Sequence, residues 1–127
     1  MDKKKILLVD DEEDIIKMNK LRLVESNFEV LSANNGQEAL EKAEKESPDL
    51  ILLDVVMPKM DGIQTLTRLK NNPRTSSIPV VMLSGVGEKA ACNKAMLAGA
   101  VDFISKPFNP EMLLEAIKKH ILGKSNR

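Results

Sequence analysis

Apolar runs of strand length alternate with longer stretches that carry apolar residues at helical spacing, and the alternation repeats five times along the chain. An unbroken or period-2 apolar run predicts a strand and a 3.6-residue period predicts a helix, so each repeat reads as one βα unit. Ile6 to Val9 is the first strand, after which Ile15, Ile16, Met18, Leu21, Leu23 and Val24 mark a helix among Lys, Asn, Arg and Glu. Phe28 to Ala33 alternates as a second strand. Asn34-Asn35-Gly36 breaks it as a loop, and a helix over Gln37 to Lys45 ends before Ser47-Pro48. Leu50 to Leu53 is apolar without alternation, which predicts a central parallel strand covered on both faces.

Beyond Asp54, Pro58 and Asp61-Gly62 mark a loop, a short helix runs through Leu66 and Leu69, and Asn71-Asn72-Pro73 closes it. Ile78 to Leu83 is the fourth strand, with Pro79 tolerated near its start. Ser84-Gly85-Val86-Gly87 forms a small-residue loop, and the helix after it ends at Gly99 in a left-handed cap. Val101 to Ile104 is a short fifth strand. Ser105 to Phe108 leads to a last helix whose face carries Met112, Leu113, Ala116, Ile117, His120 and Ile121, and Gly123 to Arg127 is a polar tail.

Five such units predict an α/β fold: a flavodoxin-like, doubly wound sheet of five parallel strands in the order 2-1-3-4-5, with five helices. Right-handed crossovers collect the carboxyl ends of parallel strands at one edge, and ligands bind there where the strand order reverses. At that edge stand Asp10-Asp11 after the first strand, Asp54 after the third, Ser84 after the fourth and Lys106 after the fifth. The first and third strands are neighbours in this order, so three carboxylates converge. Two unit charges about 4 Å apart repel by about 4 kcal/mol at an effective dielectric of 20, so such a cluster takes up protons or binds a cation. Carboxylate oxygens with open water positions suit Mg²⁺, which accepts a phosphoryl oxygen as a further ligand. The Ser84 hydroxyl and the Lys106 ammonium suit an anion. Together these groups describe a site for placing phosphate on Asp54, because phosphoryl transfer is chiefly positioning and charge neutralisation. Flavin and dinucleotide sites of this fold class use Gly or hydroxyl residues after the first strand, and the acidic loop Asp10 to Asp14 repels phosphate unless a metal intervenes.

Composition narrows the picture. The chain has 127 residues, 43% apolar, with 19 acidic and 19 basic side chains. A domain of this size buries roughly two-thirds of its unfolded surface, so residues 1–127 read as a single domain that needs neither disulfide nor structural metal. Zero net charge leaves no basic footprint for nucleic acid or anionic membrane, so direct nucleic-acid and membrane contact are not expected. Cys92 has no partner for an intramolecular disulfide, and no apolar run approaches the roughly 20 residues of a membrane span. Ile6 to Val9 is also too short for a signal-peptide core of about 7–15 residues. The expectation is a cytoplasmic protein.

The residues at the strand ends also resemble a known family, the receiver domain of two-component response regulators, and especially its stand-alone, chemotaxis-regulator-like members. The resemblance rests on Ile6-Leu7-Leu8-Val9-Asp10-Asp11, Leu50-Ile51-Leu52-Leu53-Asp54, Met57-Pro58-Lys59-Met60-Asp61-Gly62, Ser84-Gly85, and Gly99 through Phe108, and it covers residues 3 to 122. It implies that Asp54 accepts a phosphoryl group from a histidine kinase or phosphotransfer protein. It further implies that Asp10, Asp11, Asp54 and the backbone carbonyl of Val56 hold Mg²⁺, and that Ser84 and Lys106 contact the phosphoryl group. Phe103 takes the aromatic switch position, and the face of helix 4, strand 5 and helix 5 meets a protein target, as a monomer or a phosphorylation-dependent dimer. The Lys106-Pro107 bond is cis in the family, which the base rate of about 5% for X-Pro bonds does not by itself suggest.

Other readings compete position by position. Asp11 to Asp14 also suit the positive end of helix 1, which leaves Asp10 and Asp54 unexplained. Phe103 suits plain core packing as well as a switch, and His120 reads as a helix-face residue. A Mg²⁺-dependent phosphohydrolase with an Asp nucleophile needs a second Asp two residues on, where this chain has Val56. Val56 and Val86, two residues beyond Asp54 and Ser84, border the path of hydrolytic water in the family and cannot orient it, which implies a long-lived phosphoryl group. A constitutive binding domain with a vestigial site would not need all of Asp10, Asp11, Asp54, Ser84 and Lys106.

Overall fold

The computed structural model of the chain describes residues 3–57, 60–85 and 87–122. Strands β1 (Lys5–Val9), β2 (Glu29–Ala33), β3 (Leu50–Asp54), β4 (Val80–Ser84) and β5 (Asp102–Ser105) alternate with helices α1 (Glu13–Glu25), α2 (Gly36–Glu46), α3 (Gly62–Lys70), α4 (Lys89–Ala98) and α5 (Pro110–Ile117), the last continued by a π-helical turn, Lys118–Leu122. The strands are all parallel, in the order β2-β1-β3-β4-β5, with Val9 aligned to Leu53 and Asp54 to Leu83. This is the flavodoxin-like sheet expected from the alternation.

Strand side chains point to opposite faces in turn, and the core divides accordingly. Leu7, Val9, Ile51, Leu53, Val80 and Met82 pack with Ala39 and Ala43 of α2, Leu66 and Leu69 of α3, and Ala95 of α4. Ile6, Leu8, Leu50, Leu52, Val81 and Leu83 pack with Ile16 and Leu23 of α1 and Leu113 and Ile117 of α5. Every residue of β3 is buried, which is why its sequence shows no alternation. Each fully buried Leu or Ile contributes about 1.5–3 kcal/mol, so this double-sided core is a rigid base for whatever stands at the strand ends.

Several boundaries differ from the sequence pattern by a residue or two, and three of the shifts have clear local reasons. The fourth strand begins at Val80, not Ile78: Pro79 has no N–H to donate, and only its carbonyl joins the sheet, accepting from Ile51 N at 3.0 Å. The fifth runs over Asp102–Ser105, one residue later than expected, because Val101 N bonds to Val80 O at 2.9 Å before the aligned ladder starts at Asp102 and Val81. Gly36 opens α2 instead of closing a loop, since the Asn35 side chain accepts from Glu38 N and acts as N-cap. Gly99 does end α4 in the left-handed region, with φ 118°. The tail at 123–127 lies outside the described residues.

Candidate functional site

Register brings the site together. Val9 and Leu53 are neighbours in the ladder, so the next residues, Asp10 and Asp54, emerge side by side at the carboxyl edge. Both are buried, Asp10 wholly and Asp54 to within 4% of its surface. Lys106, just past the end of β5, reaches back across β4: its Nζ lies 3.2 Å from Asp10 Oδ2 and 3.2 Å from Asp54 Oδ2. Its backbone N–H donates to Ser84 O, and its peptide bond to Pro107 is cis.

The electrostatics follow from burial. Asp54 is pushed up to about 6, first by desolvation and then by the negative charge of Asp10, with Lys106 and the Val56 N–H pulling the other way. Burial works against the Lys106 ammonium, but the carboxylates of Asp54 and Asp10 outweigh it and hold its pKa above the ordinary lysine value. One carboxyl oxygen of each aspartate is also held by backbone. Glu12 N donates to Asp10 Oδ1 at 3.0 Å, and Val56 N donates to Asp54 Oδ1 at 3.3 Å.

A cation could sit beside this pair. Carboxylate oxygens of Asp10, Asp11 and Glu12 all lie within 4.8 Å of one another, with Asp11 and Glu12 exposed. A donor set made only of carboxylate oxygens, open to water on one side, fits a hard divalent ion such as Mg²⁺ and no soft metal. The loop from Asp54 to α3 is held against this edge by Gly62, whose N–H donates to Val55 O at 2.8 Å. A Cβ on Gly62 would stand 2.1 Å from Asp54 O, so only glycine permits the approach.

The remaining expected residues fall as follows. Ser84 ends β4 and is buried, beside the Asp54 strand. Val56 is 57% exposed, and the part of it that meets the Asp54 carboxyl is its backbone N–H. Phe103 lies on β5 with its ring partly exposed, over a groove shared with Met112, Glu115 and Lys119 of the α5 region. Val86, Pro58 and Lys59 lie outside the described residues. Sequence reasoning missed two contacts. Glu12, read only as a helix-end acid, joins the carboxylate group and stands 3.8 Å from Lys106 Nζ. His120, read as a helix-face residue, has Nε2 3.0 Å from Asp102 Oδ2. The one signal for Glu12 was its place as a third consecutive acid after Asp10-Asp11, which a helix start explains equally well; nothing local pairs positions 102 and 120.

Fold and site define an α/β domain with two buried carboxylates and one ammonium at the carboxyl edge of its sheet. Residues 6–118 match the family model for the response regulator receiver domain, and the chain belongs to that family. Among curated proteins it is 41% identical over 115 residues to the alkaline phosphatase synthesis transcriptional regulatory protein PhoP of Bacillus subtilis, covering 91% of this chain and 47% of that protein. It is 41% identical over 113 residues to the transcriptional regulatory protein SrrA of Staphylococcus aureus, covering 89% and 46% respectively. The chain therefore spans about half the length of these relatives. Among solved structures, a CheY-like receiver domain protein from Methanospirillum hungatei superimposes with TM-score 0.91 at 31% identity, covering 98% of both chains. The Vibrio cholerae chemotaxis protein CheY4 gives TM-score 0.88 at 33% identity, covering 94% of this chain and 99% of that one. Receiver domains are signalling domains of two-component systems. Among the described residues, no helix is long and apolar enough to cross a membrane.

Proposed function

We propose that this chain is a phosphorylation-controlled switch in which Asp54 is the phospho-acceptor. The observation that carries the reading is the Lys106 ammonium bridging two buried carboxylates, Asp10 and Asp54, at 3.2 Å each. A lysine so placed neutralises a nucleophilic carboxylate at rest and can turn to an incoming phosphoryl oxygen. An Asp54 oxygen attacks the phosphorus of a phosphohistidine, the P–N bond breaks, and the imidazole of the kinase or phosphotransfer protein leaves. Bound Mg²⁺ would supply charge neutralisation to the transferring group. Asp10, Asp11, Asp54 and the Val56 carbonyl would hold it.

Lys106 then pairs with a phosphoryl oxygen, and the Ser84 hydroxyl donates to another. Ser84 lies in register with Ser105, two residues from Phe103, so a pull on β4 reaches the strand that carries that ring. A change in Phe103 would remodel the face of α4, β5 and α5, and a protein target would read it. The same site would assist dephosphorylation, so the chain acts as a signalling receiver that catalyses only its own modification. Residues 1–127 are taken as one receiver unit of the cytoplasm, acting as a monomer or a phosphorylation-dependent dimer. The charge-based expectation against direct nucleic-acid contact is not carried by the comparisons, because the curated relatives include transcriptional regulators that this chain matches over about half their length.

A phosphohydrolase reading is disfavoured by Val56, which offers no general acid at the second residue after Asp54. The deciding experiment is incubation with a small acyl phosphate donor and Mg²⁺, followed by intact mass. One added phosphoryl group is expected, and none in Asp54→Asn. Unchanged labelling of that variant would overturn the assignment.

A further inference from the structure

Glu12 occupies the N-cap of α1, yet its side chain makes no capping hydrogen bond. Its carboxylate lies instead over the mouth of the site, 62% exposed, with Oε1 3.8 Å from Lys106 Nζ. Lys106 thus faces three carboxylates at once: Asp10 and Asp54 below it, both buried, and Glu12 on the solvent side.

The arrangement acquires a use when a divalent cation joins the pocket, so this inference rests on the cation reading above. A cation held by Asp10 and Asp54 would share their negative charge with the ammonium, and a doubly charged ion would repel the ammonium twice as strongly as a single charge. That repulsion would favour an outward position of the ammonium. Of the carboxylates that contact it, Glu12 alone lies on that side. We propose that Glu12 is a positioning residue for Lys106: it receives the ammonium displaced from Asp10 and Asp54 and keeps it at the mouth of the site, where an incoming phosphoryl group would meet it.

An alternative role for the same carboxylate is direct or water-bridged ligation of the cation, since its oxygen lies close to those of Asp10 and Asp11. The two roles separate by their dependence on Lys106. A carboxylate that acts by receiving the lysine has nothing to receive once the lysine is gone, whereas a cation ligand keeps its effect.

The test is a Mg²⁺ titration of the full chain followed by amide NMR shifts, on the native protein, Glu12→Gln, Lys106→Met and the double variant, with Lys106→Gln in reserve should the Met variant not fold. Loss of one partly exposed ion pair weakens Mg²⁺ binding by about threefold in Glu12→Gln relative to native, and the same substitution changes nothing in the Lys106→Met background. Equal Mg²⁺ affinity of the native protein and Glu12→Gln overturns the inference and leaves the cation site standing. A threefold loss that persists without Lys106 also overturns it, in favour of ligation. Absence of Mg²⁺ binding to the native protein defeats the cation reading itself, and with it the inference.

Discussion

Lys106 Nζ stands 3.2 Å from Asp54 Oδ2, although 52 residues and two strand positions separate them. That ion pair holds the Asp54 carboxyl, buried beside a second carboxylate, under one shared ammonium.

Asp54 sets a pH dependence of stability. Its carboxyl is raised from 3.8 to about 6 in the fold, so the folded state holds this proton more tightly than the unfolded chain. The associated stability is fully present below pH 4 and is lost as pH rises toward 6, a cost of up to about 3 kcal/mol in the metal-free protein. Urea unfolding at pH 4.5 and pH 7 is expected to show about 2 kcal/mol of this fall in the native protein and none of it in Asp54→Asn. The gain of that variant at pH 7 is smaller than the full figure, because Lys106 loses one partner.

Mg²⁺ should raise the thermal midpoint, and more at pH 7.5 than at pH 5, because a proton on Asp54 competes with the ion. At about ten times the dissociation constant the stabilisation is about 1.4 kcal/mol. Scanning calorimetry of Asp11→Asn should show most of this effect gone, while an undiminished shift would remove Asp11 from the ligand set.

Val56, two residues after Asp54, exposes an apolar side chain, so it offers no polar group to orient a hydrolytic water. A slow loss of phosphoryl, over minutes or longer in Mg²⁺, is expected for the native chain, and Val56→Asn should accelerate it by about tenfold by placing a water. Decay within seconds in the native protein would contradict the argument. Radiolabel chase or intact mass over time gives the rates.

Gly62→Ala should cost about 1–3 kcal/mol, the range for forcing an added group into close packing. Its Cβ would meet Asp54 O at 2.1 Å. Because that carbonyl belongs to Asp54, whose carboxyl is a proposed cation ligand, the variant should also lose Mg²⁺ affinity in proportion to the displaced loop. Denaturant unfolding with a parallel cation titration checks both.

Much of this was legible in the chain. The burial of β3 on both faces followed from Leu50-Ile51-Leu52-Leu53, and the placing of Asp10, Asp54, Ser84 and Lys106 at one edge followed from where each apolar run stops. Glu12 and His120 were not legible as contacts. An acid at a helix start has a sufficient local explanation, and the Asp102–His120 bond depends on how the end of α5 and its π turn fold back beside β5.

Hydrophobic period and strand-end residues, which are local properties, thus determined by themselves the elements, the α/β class and the inventory of charges at the sheet edge. Only the tertiary structure decided which carboxylate oxygens Lys106 reaches, that Glu12 joins them, and that burial pushes the Asp54 carboxyl up to about 6. Those depend on distance and on exclusion of water, and both arise when strands 1, 3 and 5 are brought into one sheet and the helices close over it.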